Sequence, residues 1–258
     1  MQVPILAFHK VDSSFEWGVT RITPKRFRSL ICRLKEMGYQ GISVQQLFDP
    51  AFVLPPKPVG ITFDDGYQKL YENAIPILQE AGFGASIYIV TDYIGKLNAW
   101  DVNLGGFKFM HLSWPELREI HQAGFEIGSH TKSHLTLNWL NEDAVRHELA
   151  DSKKILEDGL GDRVFSVSYP FGRYNETVVR ETLACGYGKA CAFFRKEKIL
   201  EEFEESVVLK RKAYYIFDTY QSLKAKLEPS IWTELEDLKL RLVNWGSYGT
   251  SLVKALKQ

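Results

Sequence analysis

The sequence predicts an α/β fold in which parallel strands and helices form a barrel-like domain. Short apolar runs typical of buried strands alternate with helical segments, which favours parallel strands joined by helical crossovers. A chain of 258 residues can bury the large core of one such domain. The polar residues suited to chemistry follow the ends of strands, where a barrel of this kind places its active site.

The first predicted strand, 3–8, ends at His9, and Thr23-Pro24 then begins a helix that Gly38 closes. A loop from Thr91 to about Leu112 is long enough to suggest a functional role. The further strands are predicted at 41–44, 59–63, 85–90, 125–129, 164–168 and 187–194, with one or two within 207–216. The further helices are predicted around 47–48 and at 74–81, 113–123, 141–157 and 178–185.

The chain is predicted to divide into a barrel, 1–216, and a helical extension of the same domain, 217–258. Ser230 follows Pro229 and suits a helix cap. Apolar residues then recur at helical spacing, which predicts an amphipathic helix that packs on the barrel or offers a surface to a partner. We favour packing on the barrel. The apolar positions are Ile231, Leu235, Leu238 and Leu242.

Composition narrows the function. Lysine plus arginine equals aspartate plus glutamate, so a nucleic-acid binder driven by bulk charge is not expected. The three cysteines do not indicate a disulfide framework. No apolar segment reaches transmembrane length, and the N-terminus has no signal-peptide pattern. A cytoplasmic location is expected, or a secreted or envelope-associated one if a leader has been trimmed.

Two motifs carry the candidate chemistry. The strand 59–63 ends in Asp64-Asp65-Gly66, which alone is also ordinary turn chemistry. The strand 125–129 ends in His130 and His134, whose spacing suits one metal ion, with a carboxylate as third ligand. Two histidines in a loop can also be mere surface polarity. Both motifs at strand ends together favour a metal site, and the remaining carboxylate can supply a base.

These residues resemble a known family. Thr62 to Gly66 and Ser129 to His134 are similar to the first two motifs of the polysaccharide deacetylases, the carbohydrate esterases with the NodB homology domain. Tyr169-Pro170-Phe171-Gly172 resembles the third motif. The resemblance covers roughly residues 3 to 215. It implies a distorted (β/α) barrel of about seven strands and hydrolysis of N-acetyl groups on sugars.

The metal chemistry assigns Asp65, His130 and His134 as ligands and Asp64 as general base, and the resemblance supports the same division. Zinc suits this ligand set, but Co²⁺, Ni²⁺, Fe²⁺ and Mn²⁺ remain open. Most of the family draws its general acid from a late Leu-x-His-Asp motif, which this chain lacks. Leu6-Ala7-Phe8-His9 looks similar, as in the permuted branch with the poly-N-acetylglucosamine deacetylases. His9 is therefore the predicted acid.

The third motif departs from the family pattern. Ser168 occupies the position where the family often has an arginine that orients the base, and Arg173 or Arg211 could take over that role. The backbone N–H of Phe171, followed by Gly172, matches the position expected to stabilise the oxyanion. Further candidate sugar contacts, each of which could equally be a core residue, are Tyr67, Trp100, Asp101 and Tyr174.

The leading functional hypothesis is a metal-dependent hydrolase that removes N-acetyl groups from N-acetylhexosamine units of a polysaccharide or glycolipid. One alternative is an amidase that acts on a small non-sugar amide. Another is a non-catalytic carbohydrate-binding protein, although binding a sugar would not require Asp64.

Overall fold

A computed structural model describes residues 3–14, 18–99, 108–193, 206–240 and 243. Its centre is a closed barrel of seven parallel strands, and closure occurs where the first strand pairs with both the last strand and the strand that ends at Phe63. The fold prediction is confirmed. In spatial order the barrel strands are β1 (Ile5–Phe8), β10 (Val208–Ala213), β9 (Lys189–Phe193), β8 (Ser166–Ser168), β7 (Glu126–Ser129), β6 (Ser86–Ile89) and β5 (Pro58–Phe63).

Three short strands complete the sheets. Strand β4 (Gln40–Ile42) pairs with the first half of β5, and β6 pairs with its last two residues. Strands β2 (Lys10–Val11) and β3 (Arg21–Ile22) form a separate parallel pair. The prediction at 41–44 was one residue late at the start and ran into the next helix, because Ser43 caps that helix.

Side chains cap the start of several helices. Thr23 and Asn141 accept a backbone N–H of the first turn, and the Glu116 carboxylate accepts the Ser113 N–H. The helices are α1 (Pro24–Glu36), α2 (Val44–Phe48), α3 (Lys69–Asn73), α4 (Ile75–Ala81), α5 (Trp114–Gln122), α6 (Glu142–Leu160), α7 (Glu176–Ala184) and α8 (Tyr220–Leu227). A further helical segment, α9, spans 233–240.

The barrel interior is partly polar. The buried Glu126 carboxylate accepts hydrogen bonds from the hydroxyls of Ser86 and Ser166, each at 2.6 Å, and Tyr88 contacts both Ser166 and Cys191. The main apolar core includes Phe8, Phe63 and the buried faces of the helices. Because strand side chains alternate, Thr62 and the position after β5, Asp64, face the same side.

The C-terminal helix packs through a different face from the predicted one. Ile231, Leu235 and Leu238 are 87 %, 58 % and 52 % exposed, whereas Glu236 and Leu240 are buried. Leu242, the last residue of the predicted apolar stripe, lies outside the described residues. Glu236 forms an ion pair with Lys226, which is fully buried beside Asp218. A buried charge is stable only when it is paired, so the ion pair with Lys226 turns the Glu236 side of the helix toward the protein interior. The prediction that the apolar stripe packs on the barrel was therefore wrong for its described residues.

Cys32, Cys185 and Cys191 are all free thiols. Within the described residues, the helices are too short or too polar to cross a bilayer.

Candidate active site

The candidate catalytic residues meet at the carboxyl end of the barrel. His9 follows β1, Asp64 and Asp65 follow β5, and His130 follows β7. The C-terminal ends of neighbouring parallel strands lie together at one rim, so residues distant in sequence share one cleft.

Asp65, His130 and His134 form a compact group of potential metal ligands. One donor atom of each lies within 4.8 Å of the other two, and all three residues are buried. Asp65 Oδ1 is 3.4 Å from the Nε2 atoms of both His130 and His134. One oxygen and two imidazole nitrogens that converge in this way fit a divalent first-row metal ion.

The orientation of the His130 ring fits metal binding. Its Nδ1–H donates to the Ser168 carbonyl at 2.7 Å, which leaves Nε2 facing Asp65 Oδ1 at 3.4 Å. When the ring is neutral, that Nε2 carries the lone pair that a metal ion would bind. A hydrogen bond to the far nitrogen of a ligating histidine is the usual support of such a site. Ser168 therefore contributes its backbone to the candidate metal site, at the position where the family often has arginine.

His111 supports the backbone of Asp65, the carboxylate among the three candidate ligands. Its Nδ1–H donates to the Asp65 carbonyl at 2.8 Å, and its side chain is 1 % exposed. This hydrogen bond holds the backbone of a candidate ligand. A histidine within the long loop 91–112 gave no local signal for that contact.

Four residues of the site have left-handed backbone conformations. The φ angles are 70° at Asp65, 65° at Thr131, 63° at His134 and 59° at Phe171. Among described residues other than glycine, these four have positive φ, and all belong to the three motifs. Such conformations cost free energy, so their concentration here indicates backbone positioned for function.

A helix holds the loop that carries both histidines. The Glu148 carboxylate on α6 accepts the N–H groups of Lys132 at 3.0 Å and Ser133 at 2.9 Å, and also the Ser133 hydroxyl. Within the loop, the His134 N–H donates to Thr131 Oγ1 at 3.2 Å. The spacing between His130 and His134 is thus fixed by an acidic residue that the motif does not contain.

Arg211 on β10 pairs with the candidate base. Its two terminal nitrogens donate to the two oxygens of Asp64, both at 2.8 Å, and the two side chains are 0 % and 1 % exposed. The structure thereby selects Arg211 from the two arginines that the sequence left open. Its Nη2 also donates to Ser168 Oγ at 2.7 Å, so the small residue at 168 accommodates an arginine from another strand.

Arg211 also determines the protonation of the base. Burial alone would raise the pKa of Asp64, but the adjacent Arg211 charge, with His130, lowers it below the ordinary value. Burial likewise opposes the charged form of Asp65, yet the hydrogen bonds from His130 and His134 hold its pKa well below the usual range. Both carboxylates are therefore ionised at neutral pH.

His9 lies on the same rim. Its ring stacks on Phe193 with centroids 6.1 Å apart, and the Arg211 guanidinium lies 5.1 Å from the same phenyl ring on β9. A positive charge on His9 also contributes to the lowered pKa of both Asp64 and Asp65, after the larger effects of burial and their hydrogen-bond partners. The structure thus brings His9 into the electrostatic environment of the two aspartates.

The predicted sugar contacts have different environments. The Tyr67 ring is 3 % exposed and packs against Phe109 and His111, so it has little surface for a ligand. Phe171 is partly exposed, and its ring meets His134 edge-on at 4.9 Å. Gly172 is buried with a positive φ of 64°, and a Cβ there would meet the Phe193 backbone nitrogen at 2.7 Å. The remaining candidates are Tyr174, which is partly buried against Tyr169, and Trp100 and Asp101, which lie outside the described residues.

Comparison with known proteins agrees with this geometry. The sequence profile of the family described as polysaccharide deacetylase matches residues 53–190, more than half of the chain. This chain belongs to the polysaccharide deacetylase family. YxkH of Bacillus subtilis (strain 168), a protein assigned as a polysaccharide deacetylase, is 32% identical over 190 residues, or 72% of this chain and 62% of YxkH.

A second curated relative and a solved structure are similar to this chain at lower sequence identity. The poly-β-1,6-N-acetyl-D-glucosamine N-deacetylase of Staphylococcus aureus (strain MRSA252) is 26% identical over 64% of this chain and 58% of that protein. The chain therefore spans about 60% of the length of these curated relatives. The solved structure of the deacetylase PplD from Streptococcus pyogenes, in complex with acetate, has a TM-score of 0.73 and 23% identity over 89% of this chain and 99% of PplD, a likeness of fold.

Proposed function

We propose that this polysaccharide deacetylase is a metal-dependent hydrolase that removes N-acetyl groups from N-acetylhexosamine units of a polysaccharide. The observation that carries the proposal is the buried group of Asp65, His130 and His134 beside an ionised Asp64. Family membership supports a hydrolase, and the activity for which the Staphylococcus aureus relative is named supports a β-1,6-linked N-acetylglucosamine polymer as substrate.

The residues divide the chemistry among them. Asp65, His130 and His134 would hold the metal ion, which when bound would act as a Lewis acid on the amide carbonyl and lower the pKa of the attacking water. Asp64 would accept a proton from that water, because Arg211 keeps the carboxylate ionised and fixes its direction. The backbone N–H of Phe171 would donate a hydrogen bond to the developing oxyanion.

His9 would protonate the leaving amine. The His9 imidazole stacks on the phenyl ring of Phe193, the last residue of β9. It influences the pKa of both aspartates but does not belong to the group of candidate metal ligands. A separate acid and base suit amide hydrolysis, since the amine departs poorly without a proton.

Two alternative functions are distinguished by different observations. An amidase for a small non-sugar amide would use the same metal group and base, so only substrate preference separates it. A non-catalytic sugar-binding protein would have no need for a buried ion pair that keeps Asp64 ionised, and the Asp64–Arg211 pair therefore favours catalysis.

Acetate release tests the proposal. The purified protein, loaded in turn with Zn²⁺, Co²⁺, Ni²⁺, Fe²⁺ or Mn²⁺, is incubated with β-1,6-linked and β-1,4-linked N-acetylglucosamine oligomers and with simple acetamides. Acetate from the oligomers, lost on chelation and restored by metal, is the expected result. Turnover of simple acetamides alone would favour the amidase, and binding of oligomers without acetate release would favour the sugar-binding protein.

The His9→Ala variant is expected to keep its metal and to lose turnover on acetamide substrates by about 10²-fold or more, the range of general acid catalysis. An ester with a good leaving group needs little protonation and is expected to suffer much less. The measurement is the ratio of amide to activated-ester turnover in the variant and the wild type. An unchanged ratio would show that His9 acts through stability rather than as the acid.

A further inference from the structure

Trp139 is an exposed aromatic residue on the same rim as the metal site. It ends a 3₁₀ turn, Leu137–Trp139, which begins three residues after His134. Leu137 is fully buried and anchors this turn, whereas 46 % of the Trp139 surface is open to solvent. Single exposed apolar residues are common on protein surfaces, so exposure alone does not indicate a role for Trp139. The contacts of its ring with neighbouring side chains are therefore the evidence for a role.

The Trp139 ring is supported by a buried cation. The Arg173 guanidinium carbon lies 5.3 Å from the indole centroid, and Arg173 is only 2 % exposed. A desolvated guanidinium against a tryptophan face is a favourable contact that restrains the ring. The indole is therefore held in place on its inner side while nearly half of its surface remains available.

The same arginine connects Trp139 to the reaction centre. Its guanidinium carbon lies 5.9 Å from the Phe171 ring, and Phe171 meets the His134 ring edge-on at 4.9 Å. Side chains thus form a continuous path from a candidate metal ligand, through Phe171 and Arg173, to an exposed indole. Trp139 is thus separated from His134 by two side chains, so it lies beside the candidate ligand group and not within it.

We propose that Trp139, supported by Arg173, is a sugar-binding platform for a unit of the polysaccharide beyond the one being deacetylated. This inference rests on the proposed function, because the occupant is a neighbouring N-acetylhexosamine of the same polymer. The apolar face of a pyranose ring is hydrogen-rich and flat, and it packs well on an exposed indole. A rigid tryptophan makes that contact at a low cost in side-chain entropy.

The platform predicts a dependence on substrate length. In Trp139→Ala, we expect KM for a β-1,6-linked N-acetylglucosamine pentamer to rise about tenfold, as the loss of one stacking contact would cause. The smallest accepted substrate should be affected far less, because it does not reach the indole. Trp139→Phe keeps an aromatic face and should retain most of the affinity for the pentamer.

Direct binding separates this inference from the proposed function. In an Asp64→Asn background, calorimetric titration with the pentamer and the monomer is compared with and without Trp139→Ala. Trp232→Ala, which removes an exposed tryptophan of the C-terminal segment, is the matched control. Pentamer binding that weakens in Trp139→Ala but not in Trp232→Ala supports the platform, even if the wild type releases no acetate. The absence of acetate release by the wild type would overturn the proposed function and not the platform.

Two results would overturn the platform. One is equal pentamer affinity with and without Trp139→Ala in folded protein, as verified by circular dichroism. The other is an equal loss of affinity for monomer and pentamer, which would place Trp139 in the reaction cleft itself. If Trp139→Ala proves unstable, Trp139→Gln provides a polar replacement at the same half-exposed position, and the same two comparisons apply.

Discussion

Replacement of Asp65, His130 or His134 by alanine is expected to abolish bound metal and acetate release together. Each variant leaves only two protein ligands, and the three donor atoms are close enough to act on one ion. Because even outer hydrogen-bond partners of a metal site change its affinity by about 10–100-fold, loss of a ligand should exceed that range. Elemental analysis of each purified variant, paired with acetate release, measures both effects.

A histidine outside the site provides the matched control. His147 lies exposed on α6 and bonds through Nδ1 to the Asp143 carbonyl, so His147→Ala should keep full metal content and normal turnover. Chelation of the wild type should reproduce the ligand variants, and added metal should restore only the wild type and His147→Ala. Full metal occupancy in all three ligand variants would remove the proposed ligand set.

The strand ends that carry the site could be predicted because their information is local. A short apolar run followed by Asp64-Asp65-Gly66 indicates both where β5 ends and what chemistry follows it. The same holds for β7 and the two histidines. Parallel topology then implies that these ends meet, since parallel strands place their carboxyl termini on one rim.

The residues that support the site were harder to predict because their contacts are distant in sequence. Arg211 lies on β10 and Asp64 directly follows β5, 147 residues away in sequence, and only the barrel closure through β1 brings those two strands near each other. The one available signal was an arginine within a strand, Val208–Ala213, since a charge there must face water or a partner. His111 and Glu148 offered no comparable signal.

The C-terminal helix shows how a correct periodicity can give the wrong face. Leu235 and Leu238 lie on the helix and Ile231 lies just before it, and all three are exposed. The packed side carries Glu236, which neutralises the buried Lys226. The spacing of apolar residues predicts which of them share one side of a helix. It does not predict that side's burial, which here depends on the ion pair between Glu236 and Lys226 of α8.

Asp64→Asn is expected to keep metal binding and to lower turnover by about 10²–10⁴-fold, the usual contribution of a general base. The amide has nearly the same shape as the carboxylate, but it cannot take a proton from water at neutral pH. The variant also leaves the Arg211 charge without its carboxylate. Because removal of one partner of a buried ion pair costs about 3–5 kcal/mol, its stability should fall as well.

A second variant separates the loss of the base from the loss of stability. Ser168→Ala removes the hydroxyl that accepts from Arg211 Nη2, yet it leaves Asp64 in place. It should lower the free energy of unfolding by about 1–3 kcal/mol, because a buried charged donor loses one acceptor. Its turnover should nevertheless stay much closer to wild type than that of Asp64→Asn.

The two variants are compared by urea unfolding, metal content and kcat at a temperature where both are folded. If Asp64 is the base, kcat falls far more in Asp64→Asn than in Ser168→Ala, even where their stabilities are similar. Near-normal kcat in metal-loaded Asp64→Asn would mean that another group accepts the proton. In that case the Arg211 pair would serve the architecture of the barrel mouth, where a buried carboxylate satisfies a buried guanidinium, and not the reaction.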